Sequence, residues 1–260
     1  MARLTGGQAL VEAIRREGVE TIFGLPGIQL DGLFDALFAE RGRIRVLHTR
    51  HEQATSYMAD GYARTTGKVG TCLVVPGPGL LNATAGLSTA YACSSPVLCL
   101  TGQIDSDLIG VGRGELHEIP KQLQMLESVT KWAARATSPA EIPGLVREAF
   151  RQLRSGRPRP VALEVPPDVL EAQAEVEFSA PDTIEIAASD PILDRVAGLD
   201  PEELRCLRGR KESFRRAGVV LLLNLRSQTP DDFAYSPSIE SGRRQIGLKK
   251  LAQDSLFLVC

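Results

Sequence analysis

Aromatic side chains make up only 5% of this 260-residue chain, with a single tryptophan. Histidine is scarcer: His48, His51 and His117 are the three, and no H-x-x-x-H pair occurs. That argues against a histidine-based metal centre. The five cysteines, at 72, 93, 99, 206 and 260, are odd in number and show no C-x-x-C spacing. A disulfide framework and a zinc site are both disfavoured, and a reducing, cytoplasmic compartment is expected. Excess charge of one sign is missing too. The net charge of −2 gives no basic field for nucleic acid or an anionic membrane surface. No apolar run approaches the ~20 residues needed to cross a bilayer. The start, Met1-Ala2-Arg3-Leu4-Thr5, carries no apolar signal core, which again predicts the cytoplasm. Phosphate-loop, G-x-S-x-G and H-E-x-x-H patterns are absent, so nucleotide-phosphate, serine-hydrolase and zincin chemistry lose their usual support.

What is present is an ordinary globular composition, 43% apolar and 24% charged. Up to about residue 170, helical and strand patterns alternate. Thr5 can cap a helix with Ala9, Leu10, Ala13 and Ile14 on its apolar face, ended by Gly18. Strands are predicted at 19–23, 44–47, 70–75, 96–101, 131–136 and 161–165. Helices are predicted at 30–38, 51–66, 80–92 and 140–153. Apolar strands without strict alternation, joined by helices, predict an α/β fold: three layers, a parallel sheet flanked by helices on both faces. Ligands of such sheets sit at the carboxyl ends of the strands. The loops at 24–29, 48–52, 76–82 and 102–118 all follow strands and form the candidate site. Beyond residue 170 the pattern weakens. A domain at 1–175, a linker at 176–200 and a poorly defined tail at 201–260 are expected. The tail offers a candidate helix at 190–207 and a candidate strand at 218–225. Its basic cluster, from Arg205 to Arg216, reads as a solvated helix face rather than a nucleic-acid patch, because no aromatics interleave it.

Glu52 opens a helix directly after a strand, so its carboxylate stands at the crevice. A first-turn glutamate stabilised by the helix dipole is the plainer reading of that position. The Pro76-Gly77-Pro78-Gly79 turn lets backbone come close to a ligand, or simply stiffens a strand-to-helix turn. Gly77-x-Gly79 is not a dinucleotide fingerprint, and Gly110-x-Gly112-x-Gly114 reads as a loop.

Several segments taken in order have a known pattern. They are Gly7-Gln8-Ala9-Leu10, Val19 through Gly27, Arg50-His51-Glu52-Gln53-Ala54, Met58 through Arg64, Gly77-Pro78-Gly79 with Asn82, Thr101-Gly102-Gln103, and Pro160 through Asp168. Together they resemble the N-terminal pyrimidine-binding domain of thiamine-diphosphate enzymes. The acetolactate synthase large-subunit group is the nearest likeness, over roughly residues 3–172. The resemblance implies a thiamine-diphosphate-binding fold and a cytoplasmic dimeric enzyme that decarboxylates a small 2-oxo acid and joins the remainder to a second carbonyl. In that family a glutamate engages the cofactor's aminopyrimidine ring and so activates the thiazolium carbon. Glu52 matches its place. By the same matching, Pro26, Gly27, Gly77, Gly79 and Asn82 would line the pyrimidine pocket, Gln103 would face the substrate side, and His51 would be a structural neighbour of Glu52.

The likeness also implies what this chain does not carry. The family holds Mg²⁺ and the diphosphate with Gly-Asp-Gly and a later Asn-Asn, on a separate domain. This sequence contains no Gly-Asp-Gly, and its only asparagines are Asn82 and Asn224. No metal-ligand set is therefore expected within it, and the FAD of acetolactate synthase belongs to a middle domain not recognisable here. A truncated or frame-shifted chain is one expectation, inactive until a homodimer partner or another chain brings the pyrophosphate-binding domain. A true pyrimidine-binding subunit of a two-chain 2-oxo acid decarboxylase, a non-catalytic ligand-binding module and an inactive remnant are the alternatives.

Overall fold

The computed structural model describes residues 2–180 and 182. Within them, residues 2–154 and 158 onward gather into one compact unit. The rest of the expected linker and the segment 201–260, with its candidate helix and strand, lie outside the described residues.

The chain begins with strand β1 (Ala2–Thr5) and helix α1 (Gly6–Arg16). Thr5 does cap this helix: its hydroxyl accepts from the Gln8 N–H at 3.1 Å, and Gln8 Oε1 accepts from the Thr5 N–H at 3.0 Å. This reciprocal box satisfies two donors that the helix start would leave unpaired. Gly18 closes the helix with a φ of 88°, donating its N–H to the Arg15 carbonyl. There follow β2 (Thr21–Gly24), a 3-10 turn (Ile28–Leu30), α2 (Asp31–Ala39), β3 (Arg45–His48), α3 (Glu52–Thr66), β4 (Gly70–Val74), α4 (Pro78–Ala92) and β5 (Val97–Gly102). After a long loop come α5 (Gln122–Val129), β6 (Trp132–Arg135), α6 (Ile142–Arg154), β7 (Val161–Val165), α7 (Pro167–Glu171) and β8 (Gln173–Val176).

Six strands form one parallel sheet in the order β3-β2-β4-β5-β7-β6. The central strands β4, β5 and β7 are buried at every position, which is why they read as continuous apolar runs. Alternation divides their side chains between two cores. Leu73, Leu98, Leu100 and Leu163 join the apolar faces of α1, α2 and α6. Cys72, Val74, Cys99 and Ala162 join α3, α4 and Leu126 of α5. Cys72 and Cys99 are register partners on adjacent strands. Their mutual hydrogen bond, with burial, pushes the Cys72 thiol well up, so it is held protonated and serves packing, not nucleophilic chemistry.

The three-layer expectation holds, but four short elements were not anticipated: β1, β8, α5 and α7. β1 and β8 pair antiparallel as a separate ribbon, Ala2 opposite Val176 and Thr5 opposite Gln173. Half-exposed and four residues long, they lack the apolar run that marked the main strands. α5 starts after Lys121 in a left-handed conformation, with no side-chain cap to announce it.

The crossing of α3 and α4 depends on a glycine. A Cβ on Gly86 of α4 would lie 2.3 Å from Ser56 Oγ and 2.8 Å from the Tyr57 nitrogen of α3. Gly86→Ala therefore forces the two helices apart, at about 1–3 kcal/mol. Thermal unfolding followed by circular dichroism should show a Tm lower by about 2–12 °C for a domain of this size. Gly61→Ala, inside α3 with no atom within 4 Å of its Cβ, should instead raise the Tm. A second expectation concerns acid. Glu12 accepts from Arg15 at 2.8 Å and Arg16 at 2.7 Å, and these bonds hold its carboxyl down at about 2, against the opposing effect of burial. A carboxyl depressed in the folded state stabilises above its unfolded value and loses that contribution as pH falls. Denaturation midpoints should therefore drop between pH ~4.5 and ~2, and Glu12→Gln should flatten that drop.

Candidate functional site

All four loops singled out in the sequence emerge at the carboxyl ends of the parallel strands. Glu52 is the first residue of α3, reached from β3 through Thr49-Arg50-His51. His51 is the N-cap: its Nδ1 accepts from the Gln53 N–H at 3.2 Å. Its ring thus seats the start of the helix, the structural part expected of it. The Glu52 carboxylate stands in the first turn of α3. It is half-buried, and its Oε2 accepts from Asn82 Nδ2 at 3.0 Å.

Asn82 reaches Glu52 because of the turn before it. Gly77 has a φ of 59° and is the N-cap of α4, with Pro78 at the first helical position. A Cβ here would stand 2.2 Å from the His117 carbonyl oxygen. Only glycine meets both conditions. Two residues on, a Cβ on Gly79 would lie 2.5 Å from Val75 Cγ2 and 3.4 Å from Glu52 Oε1. The missing side chain lets the Val75 methyl pack directly against the start of α4, beside that oxygen. The other γ-methyl of Val75 would lie 2.4 Å from a Cβ on Gly27. Val75 therefore bridges the Pro26–Gly27 turn, after β2, and the Gly77–Gly79 turn, after β4.

The structure thus brings together Glu52, Asn82, Gly77, Gly79, Pro26 and Gly27. Gln103 sits on the adjacent loop after β5. It is buried, and its Oε1 accepts from the Ile104 N–H at 2.8 Å. Its side chain is folded onto its own loop. Asp168 ties the next stretch of that loop, accepting from the Ser106 N–H at 3.0 Å and hydroxyl at 3.1 Å.

Four further residues, Gln29, His117, Gln122 and Glu164, shape the site and were not picked out as site residues in the sequence. Gln29 donates from Nε2 to the Leu116 carbonyl at 3.0 Å, so its Oε1 faces His117 Nδ1 at 3.0 Å. Nδ1 of His117 therefore faces an acceptor. Gln122 accepts from the Gly77 N–H at 2.9 Å and donates to Glu164 at 2.9 Å. For Glu164 a signal existed: a lone charge within the apolar run Val161-Ala162-Leu163-Glu164-Val165. For Gln29 and Gln122 none did, since one lies in a turn and the other opens an uncapped helix.

Among the described residues, no group of three or more His, Cys, Asp or Glu side chains is placed to hold a metal ion. No described helix is long and apolar enough to cross a membrane.

Residues 4–125, which span every one of these loops, match the family described as "Thiamine pyrophosphate enzyme, N-terminal TPP binding domain". The chain is similar to the probable 2-ketoarginine decarboxylase AruI of Pseudomonas aeruginosa, 42% identical over 177 residues, which are 68% of this chain and 31% of that protein. It is 35% identical to the acetolactate synthase large subunit of Haemophilus influenzae over 218 residues, 84% of this chain and 37% of that one. With the acetolactate synthase isozyme 3 large subunit of Escherichia coli it shares 35% identity over 191 residues, 74% of this chain and 33% of the relative. The chain thus spans about a third of the length of the curated relatives it matches. A parallel sheet whose Glu52, glycine turns and Asn82 meet at one crevice, inside the matched segment, makes the N-terminal part of this chain a thiamine pyrophosphate enzyme TPP-binding domain of the acetolactate synthase-like group.

Proposed function

We propose that this chain supplies the pyrimidine side of a thiamine-diphosphate site, in an enzyme that decarboxylates a small, pyruvate-like 2-oxo acid and joins the remaining fragment to a second carbonyl compound. One observation carries the reading. Glu52 has one carboxyl oxygen held by Asn82, while the other stands beside Gly79, where a Cβ would come within 3.4 Å of it. A carboxyl group held in this way can meet a flat heterocycle edge-on. Glu52 would hold or donate the proton at a ring nitrogen, and Asn82 would fix which oxygen does so. Gly77 and Gly79 would lie along one side of the ring and Pro26 and Gly27 along the other. Gln103 would border the substrate. Bound thiamine diphosphate supplies an electron sink for the carbon from which CO₂ departs.

The described residues offer no acidic cluster for the Mg²⁺ that accompanies a diphosphate. The proposal therefore places Mg²⁺ and the diphosphate on a pyrophosphate-binding domain of another chain, and FAD, where used, outside the described residues. Exposed Ile28, Leu81 and Leu116 on three of the site loops support an apolar partner face there. Absence of any described membrane-crossing helix and the cysteine usage support the cytoplasm as compartment.

A second reading is favoured by the 42% identity to AruI. It is decarboxylation of a single, larger 2-oxo acid without carboligation. Product analysis separates the two: one aldehyde per CO₂ for decarboxylation alone, a new carbon–carbon bond for carboligation.

Glu52→Gln tests the shared core of both readings. In a complex reconstituted with a chain that carries the pyrophosphate-binding domain, turnover should fall by about 100-fold or more, the usual contribution of a positioned proton-transfer group. The circular dichroism spectrum and Tm of the variant should match the parent. Undiminished turnover would remove Glu52 from the mechanism.

A further inference from the structure

Beneath the site, one polar chain runs through the core. Glu164 sits in the middle of β7, fully buried in an otherwise apolar strand. Arg135, on the neighbouring edge strand β6, donates to its Oε1. Its Oε2 accepts from Gln122 Nε2 at 2.9 Å. Gln122 is 1% exposed. Its Nε2 also donates to the Gly102 carbonyl at 3.0 Å, and its Oε1 accepts from the Gly77 N–H at 2.9 Å. Every polar atom of this amide is engaged.

Such a buried ion pair is a poor source of net stability, because desolvation offsets the attraction. What it does here is give direction. With Nε2 aimed at a carboxylate and a carbonyl, Oε1 of Gln122 must face Gly77. A reversed amide would turn its oxygen toward two acceptors and its NH₂ toward a donor, at a buried side chain.

Gly77 is where direction matters. Its left-handed backbone has no side-chain cap bond of its own, and it opens the helix that carries Gly79 and Asn82 to Glu52. The Gly102 carbonyl immediately precedes Gln103. One amide thus ties the loop after β4 to the loop after β5.

We propose that Gln122, oriented by the Glu164–Arg135 pair, is a positioning residue that fixes the Gly77 turn and the Gly102 carbonyl and so sets how Gly79 and Asn82 face Glu52. The proposal rests on the cofactor reading of the same crevice. It carries an unexpected connection: β6 and β3 are opposite edges of the sheet, yet Arg135 on one reaches the turn facing Glu52, beside the other, through two side chains.

The test uses the full chain and two measurements. The first is amide hydrogen exchange by NMR, with Gly77 compared against the amides of β4 and β5. The second is the Kd for thiamine diphosphate by calorimetry, in the complex reconstituted with a chain that carries the pyrophosphate-binding domain. In Gln122→Met, of similar volume, exchange at Gly77 should speed up about tenfold or more with strand amides unchanged. The Kd should weaken about tenfold. Glu164→Gln keeps an oxygen for Gln122 but loses the charge, and should shift both readouts less, in the same direction. It decides the matter if Gln122→Met does not fold. Unchanged exchange at Gly77, or a rise shared equally by β4 and β5, overturns the proposal. So does a loosened Gly77 with an unaltered Kd, which would make the network purely structural. If the reconstituted parent complex takes up no thiamine diphosphate, the cofactor reading falls, and exchange at Gly77 alone then decides whether the clamp exists.

Discussion

A parallel sheet covered on both faces leaves chemistry very little room. Its strands must be apolar on both sides, its helices must present apolar stripes, and polar side chains are driven to the strand ends. In this protein that constraint decides the placement of almost everything. β4, β5 and β7 are buried throughout. The loops following β2, β3, β4 and β5 gather the glycines, the glutamate and the amides. Glu52 stands where it does because a strand ends at His48 and a helix has to begin a few residues later.

The same economy of space explains the glycines. Gly77, Gly79, Gly27 and Gly86 have different sequence neighbours but one role. Each removes a methyl group from a contact that would otherwise be between 2.2 and 2.5 Å. Those at the turns bring backbone to the floor of the crevice. The one in α4 lets two helices touch. A small-residue helix from Pro78 to Ala92 is therefore a packing requirement that happens to end at a site.

This division sets what could be read in the amino-acid sequence. The fold class was visible because buried parallel strands are continuous apolar runs, and the helices carry their own start and stop residues, Thr5 and Gly18 among them. Glu52 was visible because it follows a strand and opens a helix. The Glu52–Asn82 contact was not derivable from spacing, since 30 residues separate the two. The Gln29–His117 and Gln122–Glu164 contacts were hidden for the same reason: they join loops distant in sequence and have no periodic signature. β1 and β8 escaped notice because each is four residues long and becomes a strand only through the other.

That last pairing has a mechanical side. Ala2 lies opposite Val176 and Thr5 opposite Gln173. Tension applied between residues 2 and 176 would load the ribbon from its open end, where each pair of hydrogen bonds bears the force in turn. Such a zipper opens at far lower force than strands sheared along their length, in which all bonds share the load. The ribbon would part first, and the six-stranded sheet with its crevice would remain folded.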